Sequence, residues 1–314
     1  MDMSDNLVSR QFRILGRNFT VCGSGHYLKS KRDGCYSEYS FPIFKGLIKP
    51  DAVCLDIGAN VGLSTLALAS LATRGRVFAV EADARTCRFL THNIRDNGLS
   101  NVTVEQCFMG LDGVRKTFLF CPHDPACSPS VQPELVRRIN GAGERWDPVE
   151  VQCRSVDEYV SSHGLGRLDF IKLDCEGSDI EILSSGRHTL ERFRPTVVLE
   201  FNSFCLSTFA RTNLADAIDI VLATFPYVWR ILRSPRTLGG RVKSTLDQIL
   251  PRRTGTPTCL AIERVCDSYM FIHDHIVFRK GFDDLLCAFS DVEPIPRIAT
   301  GVAGIESTGP PDGR

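Results

Sequence analysis

The chain has 314 residues, enough for one large domain with attachments or for two small ones. Its 37 basic and 37 acidic side chains cancel, which argues against a uniformly polybasic nucleic-acid binder and against an acidic solvating protein. Hydrophobic residues at 43% and charged ones at 24% match ordinary globular usage, so global disorder, collagen and coiled coil are set aside too.

Residues 1–49 read as a strand-containing extension that packs on a core. Val53–Asp56 is a short apolar run ending in an acid, and Leu63–Leu71 follows with helical spacing. Arg76–Glu81 is a second strand, Thr86–Asn97 a helix closed by Gly98, and Val102–Cys107 a third strand. Residues 114–154 break the rhythm, with strand-like pieces Lys116–Phe120 and Glu150–Arg154 around a Pro/Gly-rich excursion. Then come a strand over Asp169–Asp174, a helix around Ile180–Arg187 and a strand over Thr196–Phe201. A helix over Leu214–Thr224 and a strand over Tyr227–Leu232 complete the alternation. Residues 233–268 form a second insertion, basic and turn-rich, before a last strand expected at His275–Arg279. The expected organisation is therefore a domain over 50–285 with these two insertions, followed by a disordered tail over 286–314. Continuous Val/Ile/Leu runs separated by amphipathic helices describe an α/β, doubly wound, mostly parallel sheet.

No apolar run reaches the ~20 residues of a membrane helix. The opening MDMSDNLVSRQFRIL also lacks the apolar stretch of a secretory signal. Thirteen cysteines, odd in number, scattered and without any C-x-x-C, fit a reduced, cytoplasmic protein. Cys54 and Cys175 interrupt strand-like runs, where a small buried thiol packs well.

The most specific signal is Val53-Cys-Leu-Asp-Ile-Gly-Ala-Asn-Val-Gly-Leu-Ser-Thr65. A strand runs into Asp56, then Gly58 and Gly62 let the backbone turn tightly before a helix begins. In an open α/β sheet such a turn lies at the switch point, where ligands bind outside the carboxyl ends of the strands. Glu81 closes the next strand, where an acid accepts both hydroxyls of a ribose. A dinucleotide site needs G-x-G-x-x-G to admit a pyrophosphate. Here Asn60 occupies the second glycine position, and Asp56 would repel pyrophosphate while suiting a cationic ligand. The spacing favours S-adenosylmethionine over NAD. An NAD-linked oxidoreductase stays as an alternative, as does a non-catalytic protein retaining the cleft.

LDIGANVG, followed by VFAVEAD and FIKLDCEGSDIEIL, resembles the FkbM-type S-adenosylmethionine-dependent methyltransferases. The resemblance runs from about Gly46 to Phe201, with DHIVFRK similar to the family's final strand. Weaker agreements are Asn93, the turn Gly110–Gly113 and the run Arg154-Ser-Val-Asp-Glu-Tyr. It implies a class I methyltransferase (Rossmann-like) fold, a seven-stranded sheet with an antiparallel last strand, and S-adenosyl-L-methionine as cofactor. Carried over by position, Asp56, Gly58, Ala59, Asn60 and Gly62 line the methionine and ribose side, Glu81 holds the ribose, and Phe108 borders the adenine. Two departures stand out. The signature continues as Gly177-Ser-Asp-Ile-Glu where the family has a bulky residue and then Glu, and the two insertions match poorly.

Lys172, Asp174 and Glu176 alternate at the end of a strand and are expected on one face, beside the cofactor's methyl group. Holding a nucleophile near attack distance supplies much of the acceleration of a displacement. A hydroxyl acceptor must also lose a proton, so Asp174 or Glu176 is expected as base or acceptor-orienting group, with Lys172 tuning their charge. A structural charge network is the competing reading of all three. Glu200 and Asn202 are second candidates for acceptor binding. The resemblance makes oxygen the expected target, on a sugar, glycan or secondary metabolite.

Cys121-Pro-His-Asp-Pro-Ala-Cys127 groups two thiols and an imidazole, but no second ligand pair of zinc spacing accompanies it, so no metal is expected. His273 and His275 are read as one face of an edge strand. Residues 230–253 carry seven basic side chains, Arg230 among them, against Asp247 alone. This segment suits an anionic acceptor; the absence of interleaved aromatics disfavours nucleic acid.

Overall fold

A computed structural model describes residues 7–30, 41–120, 130–131, 147–232 and 261–291. The chain opens with a hairpin of β1 (Leu7–Ile14) and β2 (Arg17–Ser24), then two short helices, α1 (Gly25–Ser30) and α2 (Phe41–Leu47). The core begins with β3 (Val53–Ile57), α3 (Leu63–Leu71), β4 (Arg76–Glu81), α4 (Ala84–Asp96) and β5 (Val102–Gln106). The first excursion contributes β6 (Arg115–Phe120), β7 (Ser130–Val131) and β8 (Asp147–Gln152), a separate antiparallel sheet in the order β7-β6-β8. The core resumes with α5 (Val156–Ser162), β9 (Phe170–Leu173), α6 (Asp179–Ser184), α7 (Arg187–Phe193) and β10 (Thr196–Asn202). The last part holds α8 (Ser203–Thr208), α9 (Leu214–Thr224), β11 (Tyr227–Leu232), β12 (Ala261–Arg264), α10 (Ser268–Val277) and β13 (Phe282–Ala288).

The main sheet has eight strands in the order β12-β11-β13-β10-β9-β3-β4-β5. From β5 to β10 every pairing is parallel, whereas β13 is antiparallel to both β10 and β11. Seven strands thus form the class I methyltransferase arrangement, and β12 adds an eighth, antiparallel to β11. Along each strand alternate residues serve opposite faces. Cys54 of β3 joins a core with Leu66 and Ala67 of α3 and Phe12 and Phe19 of the hairpin. Leu55 and Ile57 join the other, with Tyr159, Ile182, Ala217 and Phe271. Chain order reverses at β3, between β9 and β4, so a crevice opens at its carboxyl end.

The expected last strand is a helix. His275 lies in α10, started by Asp267, whose carboxylate accepts from the Met270 N–H at 2.7 Å. Phe271 and His275, four residues apart, turn inward, while Ile276, Val277 and Phe278, the residues that read as a strand, are exposed. The strand that does close the sheet begins Phe282-Asp-Asp, two acids that disguise it. Asp283 is buried but bonded to His275 Nδ1 at 2.7 Å and Arg279 Nε at 3.0 Å, with Arg230 Nε 3.3 Å away. Arg230 is therefore a buried ion-pair partner and not part of a basic rim, and His275 is a core histidine and not an edge-strand residue. β13 also runs through Ala288, three residues into the segment expected to be a tail. The cysteine-histidine segment 121–127 and residues 233–260 lie outside the described residues, as do 292–314.

Among the described residues no helix is long and apolar enough to cross a membrane, and no group of three or more His, Cys, Asp or Glu is arranged to hold a metal ion.

Candidate active site

At the crevice, residues 58–62 form a loop whose peptide groups are individually anchored. The N–H groups of Gly58 and Ala59 both donate to the Val80 carbonyl at 3.0 Å, and Gly62 donates to the Ala59 carbonyl at 2.9 Å. Gly58 has φ +75, and a Cβ there would lie 1.8 Å from the carbonyl oxygen of Asp174. The loop and the turn after β9 therefore touch backbone to backbone. Asn60 takes the left-handed region at φ 54, which asparagine tolerates better than most residues, and its side chain accepts from the Val61 N–H at 2.7 Å.

Asp56 is fully buried behind this loop. One carboxylate oxygen accepts from Ser64 Oγ at 2.8 Å and Thr65 Oγ1 at 2.6 Å, fixing the first turn of α3; the other lies 3.9 Å from Lys172 Nζ. Burial pushes the carboxyl up, against the pull of Lys172 and the two hydroxyls. Glu81 stands at the lip, partly exposed. Its two oxygens accept from the N–H groups of Asn60 at 2.8 Å and Asp83 at 2.9 Å. Burial raises it to about 7 despite those bonds. Each carboxylate oxygen has a further acceptor site beyond the backbone bond, which is what a pair of ribose hydroxyls requires. Acids behind the loop and at its lip fit a sulfonium nucleoside better than a pyrophosphate.

β9 supplies the second half. Lys172 is buried, and its Nζ reaches Asp174 at 3.0 Å and the Gly58 carbonyl at 3.2 Å. The strand ends at Leu173, one residue before Asp174, so the alternation expected to carry Lys172, Asp174 and Glu176 on one face stops short. Asp174 and Lys172 do meet. Glu176 turns away at φ 49 and accepts from the Cys205 thiol at 3.2 Å. The turn is held by Asp179, a buried acid whose oxygens accept from the N–H groups of Cys175 at 2.8 Å and Gly177 at 3.0 Å. Burial, then the nearby Asp174, pushes Asp179 up to about 7.

Glu200, on β10 beside β9, is pushed well above the ordinary carboxylate range by burial first, then by Asp174, Asp179, Glu176 and Asp284. Asn202 is spoken for: its side chain caps α8 by accepting from Phe204 at 3.1 Å and Cys205 at 3.3 Å. Phe108, just past β5, is partly exposed and packs edge-to-face on Phe118 of β6 at 5.1 Å, joining the excursion sheet to the crevice rim. Two residues carry signals the sequence reading does not use: Asp179, noted only as a departure from the signature, and Asp284, which lies beyond the expected last strand but stands opposite Glu200 on β13 and raises it. A short acid placed two residues after a glycine that follows an acid was the available signal for Asp179.

The methyltransferase FkbM domain model matches residues 56–234, more than half of the chain. The chain is 26% identical over 152 residues to the 2-O-methyltransferase NoeI of Sinorhizobium fredii, covering 47% of this chain and 63% of that protein. It is 29% identical over 166 residues to the AMB antimetabolite synthetase AmbE of Pseudomonas aeruginosa, covering 44% of this chain and 8% of the other. Each match thus spans less than two thirds of the relative's length. Among solved structures, a precorrin-6y C5,15-methyltransferase from Geobacter metallireducens is 14% identical with a TM-score of 0.39, covering 80% of this chain and 88% of that one. At that score the likeness adds nothing to the strand order above. The glycine loop, Glu81 and the turn after β9 all fall inside the matched span, and the family's cofactor is S-adenosylmethionine: the chain belongs to the FkbM methyltransferase domain family.

Proposed function

We propose that the protein transfers the methyl group of S-adenosylmethionine to a hydroxyl of a sugar, glycan or secondary metabolite. In this reading residues 50–288, to the end of β13, are the catalytic domain and 1–49 an extension on it. The observation that carries the reading is the pair of carboxylates at the carboxyl ends of β9 and β10, Asp174 where the turn touches the glycine loop and Glu200 beside it, with Glu176 close enough to help hold the proton on Glu200. When bound, the cofactor supplies a methyl group on a sulfonium, open to in-line attack. The backbone of Gly58–Gly62 holds its methionine side, Glu81 the ribose hydroxyls, and Phe108 borders the adenine. Asp56 works from behind, as the anchor of α3.

Asp174 or Glu176 takes the proton that the acceptor hydroxyl gives up as its oxygen attacks. Lys172 fixes the direction of Asp174. Glu200 retains its proton well above the ordinary carboxylate range and donates a hydrogen bond to the acceptor. A relative named as a 2-O-methyltransferase supports oxygen as the target, and one named as an antimetabolite synthetase supports a metabolite. Six basic residues between Arg233 and Arg253 suit an anionic acceptor.

The test supplies methyl-labelled S-adenosylmethionine with free sugars, nucleotide-linked sugars and hydroxylated acids, each beside its deoxy analogue. Label is expected on the hydroxylated member alone. Asp174→Asn or Glu176→Gln should lower kcat about a hundredfold while cofactor affinity stays within threefold. Transfer to amine nitrogen, or a chain that binds the cofactor and methylates nothing in the panel, contradicts the proposal.

A further inference from the structure

Asn93 lies on the inner face of α4 and is 1% exposed. A side-chain amide that far from water must find partners within the protein, and Asn93 finds three. Its Oδ1 accepts from the Cys22 N–H at 2.7 Å, and its Nδ2 donates to the Cys22 carbonyl at 2.9 Å and the Val61 carbonyl at 2.8 Å. Cys22 belongs to β2 of the N-terminal hairpin, Val61 to the cofactor loop. One amide therefore ties hairpin, helix and loop together.

One turn further on, Asn97 offers a contrast. Its side chain accepts from the Thr20 N–H at 3.0 Å and donates to the Thr20 carbonyl at 2.8 Å and the Asn93 carbonyl at 2.7 Å. It clamps the same hairpin to the same helix with no bond to the loop.

We propose that Asn93 is a positioning residue for the cofactor loop, through which the docked N-terminal hairpin sets the affinity for S-adenosylmethionine. Drawing the Val61 carbonyl toward α4 turns the following N–H the opposite way, where Gly62 bonds the Ala59 carbonyl. That fixes the backbone of Asn60 between them, and the Asn60 N–H in turn orients Glu81. Without the amide the Val61–Gly62 peptide keeps only its bond to the Ala59 carbonyl, and both the methionine side and the ribose acid lose part of their setting. The effect on affinity rests on the cofactor assignment above; the effect on the loop does not.

The experiment compares Asn93→Ala, Asn93→Asp and Asn97→Ala in the full chain. The Asp variant keeps the acceptor for Cys22 and loses both donations, so it serves if the Ala variant does not fold. Calorimetry with S-adenosylmethionine and hydrogen exchange of the 58–62 amides are the two readouts. Loss of the Val61 bond should weaken cofactor binding about tenfold and speed loop exchange in both Asn93 variants. Asn97→Ala should lower Tm yet leave both readouts within twofold. If the Asn93 variants behave like Asn97→Ala on both, the proposal is overturned. A native chain that binds no S-adenosylmethionine sinks the cofactor assignment instead, and the exchange contrast then decides the role of Asn93 alone.

Discussion

Gly58→Ala probes the contact that joins the two halves of the site. At φ +75 an alanine carries about 1–2 kcal/mol of left-handed strain before any contact is counted. Its Cβ would also lie 1.8 Å from the Asp174 carbonyl oxygen, where at least 3.0 Å is needed, so loop and turn must part by more than an ångström. Both sides are backbone, the Gly58 N–H held by the Val80 carbonyl at 3.0 Å and the Asp174 N–H by the Ile57 carbonyl at 3.2 Å, and neither has a rotamer to change. Overpacking of this kind costs about 1–3 kcal/mol, giving roughly 2–5 kcal/mol in total. Gly164→Ala is the control: φ is +58 but nothing lies within 4 Å, so only the strain of about 1–2 kcal/mol applies. Differential scanning calorimetry should place Gly58→Ala several degrees below Gly164→Ala. Titration with S-adenosylmethionine should show weakened binding only in the former. Equal Tm losses together with native affinity in Gly58→Ala would refute a shared backbone contact between loop and turn.

Glu81, raised to about 7 in the free protein, should bind the ribose better as an anion. Ribose bonding lowers its pKa, so affinity should climb as pH rises toward about 7 and level off above, with a proton released on binding; a flat profile, or one equally steep in Glu81→Gln, refutes the role. The same raised pKa makes Glu81 a stabilising group below its ordinary value of 4.5. That contribution is lost as pH rises through 7, so stability of the cofactor-free chain should fall across this window in urea titrations, less so in Glu81→Gln. Lys172→Met leaves buried Asp56 without its cation and should cost about 3 kcal/mol in denaturant midpoint; adding Asp56→Asn should recover part of it, and strict additivity would contradict the pairing.

The crevice was legible because its constraints are local. A strand carrying Asp56 into the glycine loop, a glycine forced by backbone contact and an acid closing β4 each leave a mark within a few residues. The misread parts depend on distant partners. Asp283 looks unlike part of a buried strand until His275, Arg279 and Arg230 are brought alongside, and Ile276–Phe278 look like one until they prove to be the exposed end of α10 and its cap. Arg230 joined a basic segment by sequence proximity but faces three acids, Glu263, Asp274 and Asp283, supplied from β12, α10 and β13. Asn202 offered a polar side chain at a strand end, and nothing in its neighbours showed that it would be consumed as a helix cap. Glu176 was expected beside Asp174 because strand alternation was extended three residues past its end at Leu173; Asp179, which bends the turn, acts from beyond it.

The most direct measurement is calorimetric titration of the full chain with S-adenosylmethionine and, separately, NAD at neutral pH. The expected result is saturable one-site binding of S-adenosylmethionine, lost or strongly weakened in Glu81→Gln, with no binding of NAD. Binding of NAD without S-adenosylmethionine, or full affinity for S-adenosylmethionine in Glu81→Gln, would contradict the site as assigned.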